Sequence, residues 1–131
     1  MKVITIQEPY ATLIMHGKKK IETRSWKTSY RGKIYIHAGK SKDFLKNANT
    51  YTSNLISNIS LNYGNIICLA ELVDCIEITD IFIENLKKED LNEYNLGIYK
   101  RRRYAWILKS IIILKEPISI KGKLSIWEYN D

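Results

Sequence analysis

The most informative part of this chain is the run Gly17-Lys18-Lys19-Lys20-Ile21-Glu22-Thr23-Arg24. It places a glycine, four cations and one carboxylate within eight residues, between an apolar run that ends at Met15 and the aromatic residue Trp26. Glycine favours the left-handed backbone conformation that often ends a helix, so residues 9–16 are predicted to form a short helix ending at Gly17. A plain surface helix or strand has little need for this combination of charges. The run therefore predicts a site that holds an anion.

The second half of this run is predicted to be a strand, from Lys20 to Trp26. Successive side chains of a strand point to opposite faces, so Glu22, Arg24 and Trp26 are expected to share one face. The carboxylate and the arginine of the run are thus predicted to project in the same direction.

The remaining pattern predicts an α+β fold with about six strands and two or three helices. Strands at this spacing, with one helix inserted early, are typical of a small closed β-barrel with helices covering its openings. Residues 41–59 have apolar positions spaced loosely like a helix, and residues 89–103 read as a polar loop. The predicted strands are 2–7, 20–26, 33–38, 65–78, 104–114 and 124–129, and the other predicted helix is 79–88.

Composition sets the broad class of the protein. The 131 residues fit one domain, 1–131, large enough to bury a core. The net charge of +7 favours polyanionic partners, although a lysine-rich composition can also reflect an AT-rich genome. We find no apolar run of the roughly 18 residues that cross a bilayer and no signal-peptide pattern, so we expect no membrane partner and a cytosolic, cytoplasmic location.

The cysteines and histidines do not predict a metal site. Cys68 and Cys75 lie in an apolar stretch without a second pair, and they are predicted to be buried thiols. His16 and His37 lack the spacing of metal ligands. We expect neither a metal nor a cofactor.

The motifs resemble a known family, the ASCH domain of the PUA-like superfamily. Its hallmark is Gly-x-Lys-x-x-Glu-x-Arg, which this chain carries from Gly17 to Arg24 after a similar Glu8-Pro9-Tyr10-Ala11 segment. Residues 31–38 and 64–75 are similar to later strands of the family, and residues 104–106, 117–118 and 121–127 are similar to its C-terminal strands. The resemblance therefore covers nearly the whole chain. It implies a PUA-like β-barrel whose cleft, between the first helix and the barrel, binds RNA or a nucleotide.

The hallmark residues are the main candidates for ligand binding. Lys19 and Arg24 are suited to a phosphate or a base carbonyl, because arginine offers a planar fork and lysine a compact charge. Glu22 is expected to orient them or to accept from an exocyclic amine. The alternative is a structural ion-pair network that ties the helix end to the strand.

Five further residues complete the predicted binding set. Tyr10 and Trp26 flank the cations and are candidates to stack a base, although most aromatic residues belong to a core. Arg102 and Arg103, from the run 100–103, are expected to follow a phosphate backbone or else to form a solvated loop. Glu8 stands where the nearest subgroup usually has glutamine, which alters what the cleft recognises.

A hydrolase is the alternative function. Some small ASCH proteins are amidohydrolases acting on N4-acetylcytidine and others are reported to cut RNA, so the resemblance implies a metal-independent catalytic set of Lys19, Glu22 and Glu71. Glu71 lies in a buried-looking strand and is predicted to pair with Lys19, or else to face solvent. Glu22 occupies the position of that branch's threonine, and a carboxylate does not replace a hydroxyl nucleophile. It remains a candidate general base toward water.

The expected partners follow from these residues. We expect RNA, single-stranded nucleic acid, or a nucleotide or modified nucleoside, bound by a monomeric protein.

Overall fold

A computed structural model of the chain describes residues 1–46 and 48–130. Its centre is a six-stranded sheet that curls into a half-barrel. The strand order is β2-β5-β4-β3-β1-β6, in which β1 and β3 are parallel and the other neighbours are antiparallel. The strands are β1 Lys2–Ile6, β2 Ile21–Arg24, β3 Gly32–Ala38, β4 Asn65–Glu77, β5 Tyr104–Ser119 and β6 Ile126–Glu128.

Short helices lie between the strands. They are α1 Tyr10–Met15, α2 Asp43–Lys46, α3 Thr50–Ile56, α4 Asp80–Glu89 and α5 Leu91–Asn95. The predicted α+β class and the barrel-like sheet are confirmed. Two helices, α2 and α3, occupy the segment 41–59 that was expected to form one loose helix; position 47 between them lies outside the described residues.

The helix α1 positions the candidate site relative to the sheet. Its residues Ala11 and Ile14 are buried in the main core together with Ile4, Ile36 and Trp106 of the strands. As predicted, Gly17 ends the helical region: its φ is +74°, and its amide donates to the Ile14 carbonyl at 3.0 Å. This turn leads the chain directly into the sheet-edge strand β2.

Two local predictions were wrong. The polar segment 89–103 contains α5, because the Asp90 side chain accepts a hydrogen bond from the Glu93 amide at the start of that helix. The strand β5 extends past Pro117, since the register between β4 and β5 shifts after the Cys68–Ile113 pair and resumes at Ile66–Ile118. Proline is tolerated where a strand is not regularly paired.

Candidate functional site

A cavity of about 250 Å³ lies at the β2 edge of the sheet. Its walls come from the end of β1 and the residue after it, the start of α1, β2 with Lys19 before it and two residues after it, Phe44 of α2, and the segment between α5 and β5. Six of the predicted site residues line it: Tyr10, Lys19, Glu22, Arg24, Trp26 and Arg103. We call this cavity the β2 pocket.

Lys19 is held at the wall of the β2 pocket by a buried ion pair. Its Nζ lies 2.9 Å from Oε2 of Glu93, and the two residues are 3% and 2% exposed. The Tyr99 hydroxyl donates to the same oxygen at 2.9 Å, and the Lys20 amide donates to Oε1 of Glu93 at 2.5 Å. The charge of Lys19 is therefore largely compensated within the protein.

Two aromatic rings and a glycine pack around Lys19. Its Nζ lies 5.6 Å from the ring centroid of Tyr10 and 5.8 Å from that of Tyr99, within the range of cation–π attraction. A Cβ atom at Gly97 would lie 2.7 Å from the Tyr99 ring and 3.2 Å from Lys19 Nζ. Position 97 therefore needs glycine for this arrangement to form.

Glu22 and Arg24 form the second charged group of the β2 pocket. Arg24 Nε lies 3.2 Å from Glu22 Oε2, and a terminal nitrogen of Arg24 donates to the Thr5 carbonyl. The Nε–Oε2 contact is an ion pair by distance without hydrogen-bond geometry, since Nε has no hydrogen-bond partner in the described part of the chain. The side chains of Glu22 and Arg24 are 13% and 24% exposed, so both remain open to the pocket.

Burial dominates the electrostatics of Glu22. It raises the pKa of the Glu22 carboxyl above its ordinary value, and the positive charges of Arg24, Lys19 and Arg103 only partly oppose this effect. The Tyr10 pKa is also raised, mainly by burial and further by the negative charge of Glu22. A carboxyl with a raised pKa in a pocket is a candidate for ligand recognition or proton transfer.

Arg103 brings a third cation to the β2 pocket. One of its terminal nitrogens donates to the Thr23 carbonyl at 3.0 Å, which fixes the guanidinium against β2. Its Nε is buried and has no hydrogen-bond partner among residues 1–46 and 48–130. The pocket wall thus carries the cations Lys19, Arg24 and Arg103 and the carboxylate Glu22.

The aromatic residues of the β2 pocket are supported from behind. The Trp26 ring packs edge-on against Trp106 with a centroid distance of 4.8 Å, and Tyr10 packs edge-on against Phe44 at 5.3 Å. Trp106 itself is buried in the core. Trp26 and Tyr10 therefore present fixed apolar surfaces on which a planar group can stack.

Three predicted site residues lie elsewhere, and two of them are Glu8 and Arg102. Glu8 is fully buried, and its carboxylate accepts from the Thr12 amide and hydroxyl and from the Asn62 amide, so it ties α1 to a loop. Arg102 is exposed and, unlike Arg103, does not line the β2 pocket.

The third is Glu71, which corrects the predicted pairing with Lys19. It is exposed on β4, where its register partners are Lys33 of β3 and Lys109 of β5. The apolar run of β4 suggested burial on both faces, but most of residues 71–77 are exposed. The carboxylate that pairs with Lys19 is Glu93.

Sequence reasoning missed Glu93, Tyr99 and Phe44. Glu93 and Lys19 are 74 positions apart, and no spacing pattern links them. The only available signal was chemical: a buried lysine requires a buried acceptor, and the polar segment 89–103 contains several acidic residues.

The described ranges contain no group of three or more His, Cys, Asp or Glu residues arranged to hold a metal ion. Cys68 is buried, and burial raises the pKa of its thiol to about 12. None of the helices in the described residues is long and apolar enough to cross a membrane.

The fold and the pocket define a small α+β protein with a curled sheet and a ligand-sized pocket at the sheet edge. The chain belongs to the ASCH domain family, since the family model matches residues 4–118. The resemblance noted from the hallmark run is thereby confirmed.

Curated relatives are similar over most of the chain. It is 24% identical to human Activating signal cointegrator 1 and 22% identical to the Mus musculus protein of that name, over 127 residues in each case. Each alignment covers 95% of this chain but 22% of the relative. The chain therefore spans about a fifth of the length of these relatives.

Solved structures of ASCH proteins share the fold. The ASCH protein from Zymomonas mobilis superposes with a TM-score of 0.62 at 15% identity, covering 98% of this chain and 87% of that one. A mutant form of that protein gives 0.60 at 16% identity, with coverages of 98% and 89%. At these identities the likeness concerns the fold alone.

Proposed function

We propose that this ASCH domain binds RNA or another single-stranded nucleic acid, or a nucleotide, in the β2 pocket. The observation that carries the proposal is the placement of two guanidinium groups, Arg24 and Arg103, beside the aromatic surfaces of Tyr10 and Trp26 in one pocket. Guanidinium groups suit phosphates and base edges, and aromatic rings suit base stacking.

Two broader properties support this proposal. The family is generally associated with RNA binding. The net charge of +7 attracts polyanions at long range. Lys19 takes a smaller part than the hallmark suggested, because Glu93 compensates its charge.

A direct test is fluorescence anisotropy with a labelled oligouridine of about eight nucleotides. We expect binding at low salt, with affinity falling steeply between about 50 and 200 mM NaCl. The double variant Arg24→Gln/Arg103→Gln is expected to lose most of this binding.

The control for this variant removes the same number of charges outside the pocket. Lys33→Gln/Lys109→Gln changes two exposed lysines on either side of Glu71. Absence of binding at low salt, or an equal loss in both double variants, would contradict the proposal.

A second candidate function is metal-independent hydrolysis of a modified nucleoside or of RNA. The observation that favours it is the raised pKa of the Glu22 carboxyl, which suits a general base or acid at a pocket wall. Turnover of N4-acetylcytidine or cleavage of an oligonucleotide, lost in Glu22→Gln and retained in Glu71→Gln, is the expected result. Activity that survives in a folded Glu22→Gln variant would exclude this role.

A further inference from the structure

Glu22 and Arg24 both line the β2 pocket and differ in their hydrogen-bonding groups. An ionised carboxylate is an acceptor only, with about four lone-pair sites on its two oxygens. The Glu22 carboxylate has the Thr23 amide and Arg24 Nε as close neighbours, so it retains acceptor capacity for a ligand. The Arg24 guanidinium beside it is a donor only.

The arginines also retain donor capacity. Arg24 uses one terminal nitrogen on the Thr5 carbonyl, and Arg103 uses one on Thr23. The Nε atoms of both are buried without a hydrogen-bond partner in the described residues. Buried donors without partners are rare in native proteins, and Arg103 Nε is such a donor. Arg24 Nε already lies 3.2 Å from the Glu22 carboxylate, so a ligand oxygen is expected to pair with the remaining terminal nitrogens of the two guanidinium groups.

Building on the proposed nucleic-acid binding, we propose that the β2 pocket receives a single guanine base, whose Watson–Crick edge pairs with Glu22 and Arg24. The protein presents a donor followed by two acceptors. Guanine presents the complement, the O6 acceptor followed by the N1–H and N2–H₂ donors. The Glu22 carboxylate would accept from the two neighbouring N–H groups, and the Arg24 guanidinium would donate to O6. Together they satisfy the whole Watson–Crick edge of the base.

The other bases match this edge less well. Adenine has a single amino donor next to the acceptor N1, and uracil has one N–H between two carbonyl acceptors. Cytosine has a donor followed by two acceptors, the same order as the protein, so like groups would face each other. Each mismatch leaves a buried polar group without a partner, which is the strongest source of discrimination between ligands.

The size of the β2 pocket fits one base. Its volume of about 250 Å³ lies just below the range of roughly 300–1,000 Å³ found for drug-sized ligands. Trp26 and Tyr10 supply apolar surfaces for the faces of the base. A strand would therefore bind by inserting one unstacked base, with its phosphates left at the rim.

The test uses the unchanged protein and four labelled oligouridines of about eight nucleotides, each with one central guanosine, inosine, adenosine or cytidine. Inosine lacks only the N2 amino group, so it loses one of the two donors to Glu22. We expect the guanosine strand to bind about 5- to 100-fold more tightly than the adenosine and cytidine strands, with the inosine strand in between.

The variant Glu22→Gln tests whether Glu22 recognises the N1–H and N2–H₂ donors of guanine. Glutamine keeps the size of the side chain but replaces one acceptor with a donor, so the difference between guanosine and inosine should disappear. The control Glu71→Gln changes an exposed carboxylate outside the pocket and should keep that difference. Thermal unfolding of each variant verifies that it is folded.

Each outcome separates the two proposals. Equal binding of all four strands overturns guanine recognition and leaves nucleic-acid binding intact. Equal binding of guanosine and inosine strands by the unchanged protein overturns the role of the N2 amino group, even if Glu22→Gln does not fold. If a folded Glu22→Gln variant keeps the affinity difference between guanosine and inosine strands, the role of Glu22 in recognising guanine is overturned. No binding of any strand at low salt overturns the nucleic-acid proposal itself.

Discussion

Lys19 and Arg24 belong to the same basic run, yet the structure uses their charges differently. Lys19 is 3% exposed and its amine is paired with Glu93, which is equally buried and also bound by Tyr99. Arg24 is more open, and its Nε faces Glu22 without a directed hydrogen bond. One side of the β2 pocket is closed by internal pairing, and the other keeps unused hydrogen-bonding groups. Counting charges in a motif therefore overstates how many are available to a ligand.

The largest expected effect is a loss of stability when the Lys19–Glu93 pair, on the closed side of the β2 pocket, is broken. Glu93→Ala leaves Lys19 buried without its anion, so we expect it to lower the free energy of unfolding by about 3–5 kcal/mol. Urea denaturation of the variant and of the unchanged protein measures this difference. Because Lys19 and Glu93 are almost fully buried, screening by solvent does not reduce the effect.

Two controls show whether pairing causes the loss. Glu71→Ala removes an exposed carboxylate and should change stability by no more than about 0.5 kcal/mol. The double variant Lys19→Met/Glu93→Leu removes both charges and should regain much of the stability, since apolar residues often replace a buried ion pair without loss. A loss below about 1 kcal/mol in Glu93→Ala would mean that the two sides of the pocket do not differ in how their charges are paired.

The next effect concerns stacking on the open side. Trp26→Leu keeps an apolar side chain against Trp106 but removes the flat ring, so nucleic-acid binding should weaken by about 1–3 kcal/mol. Anisotropy titration measures the change, and thermal unfolding verifies the fold. Tyr35→Leu on β3 removes an aromatic ring that packs against Tyr129 outside the pocket and should leave binding unchanged. An equal loss in both variants would argue against a stacked base.

The fold was predictable because its signals are local. The alternation in β1 and β3 and the glycine after α1 each act within a few residues, and the strands formed close to their predicted bounds. The exceptions are α5, which depends on a cap at Asp90, and the end of β5, which depends on a register shift in its pairing with β4. Neither depends on hydrophobic periodicity.

The candidate site was predictable from the sequence only for residues that lie close together along the chain in and after β2. Glu22 and Arg24 alternate on β2 and line the pocket. Trp26 also lines it, but from two residues beyond the end of β2, where strand alternation no longer places it. The partner of Lys19 comes from α5, 74 positions away, and only tertiary packing selects Glu93 over Glu71. Glu8 has the right sequence neighbours but points into the protein, where three donors already satisfy it.

A third test compares two adjacent arginines. Arg103 lines the β2 pocket, whereas Arg102 is exposed outside it. If Arg103 contacts a phosphate, Arg103→Gln should reduce the slope of log K against log salt concentration by about 0.7, the value for one phosphate contact on a single strand. Arg102→Gln removes the same charge and should leave the slope nearly unchanged. Equal slopes would mean that the overall charge of the protein, rather than the open side of the pocket, governs binding.

The smallest expected effect is the pH dependence of stability at Glu22. Because burial raises the pKa of this carboxyl in the folded state, the folded protein binds the proton more tightly than the unfolded chain. The stability linked to this proton is fully present below the unfolded pKa of about 4.3 and is lost as the pH rises through the folded pKa.

Glu22→Gln carries no titrating proton at this position, so it escapes this loss. Its free energy of unfolding relative to the unchanged protein should therefore increase between about pH 4 and pH 7, as measured by urea denaturation across that range. If the same substitution also weakens binding of the guanosine strand, the ionised carboxylate is kept for a ligand at the expense of stability. If Glu22→Gln instead loses stability as the pH rises, the pairing with Arg24 outweighs burial. Glu22 would then be a structural anion like Glu93, and both sides of the pocket would be closed.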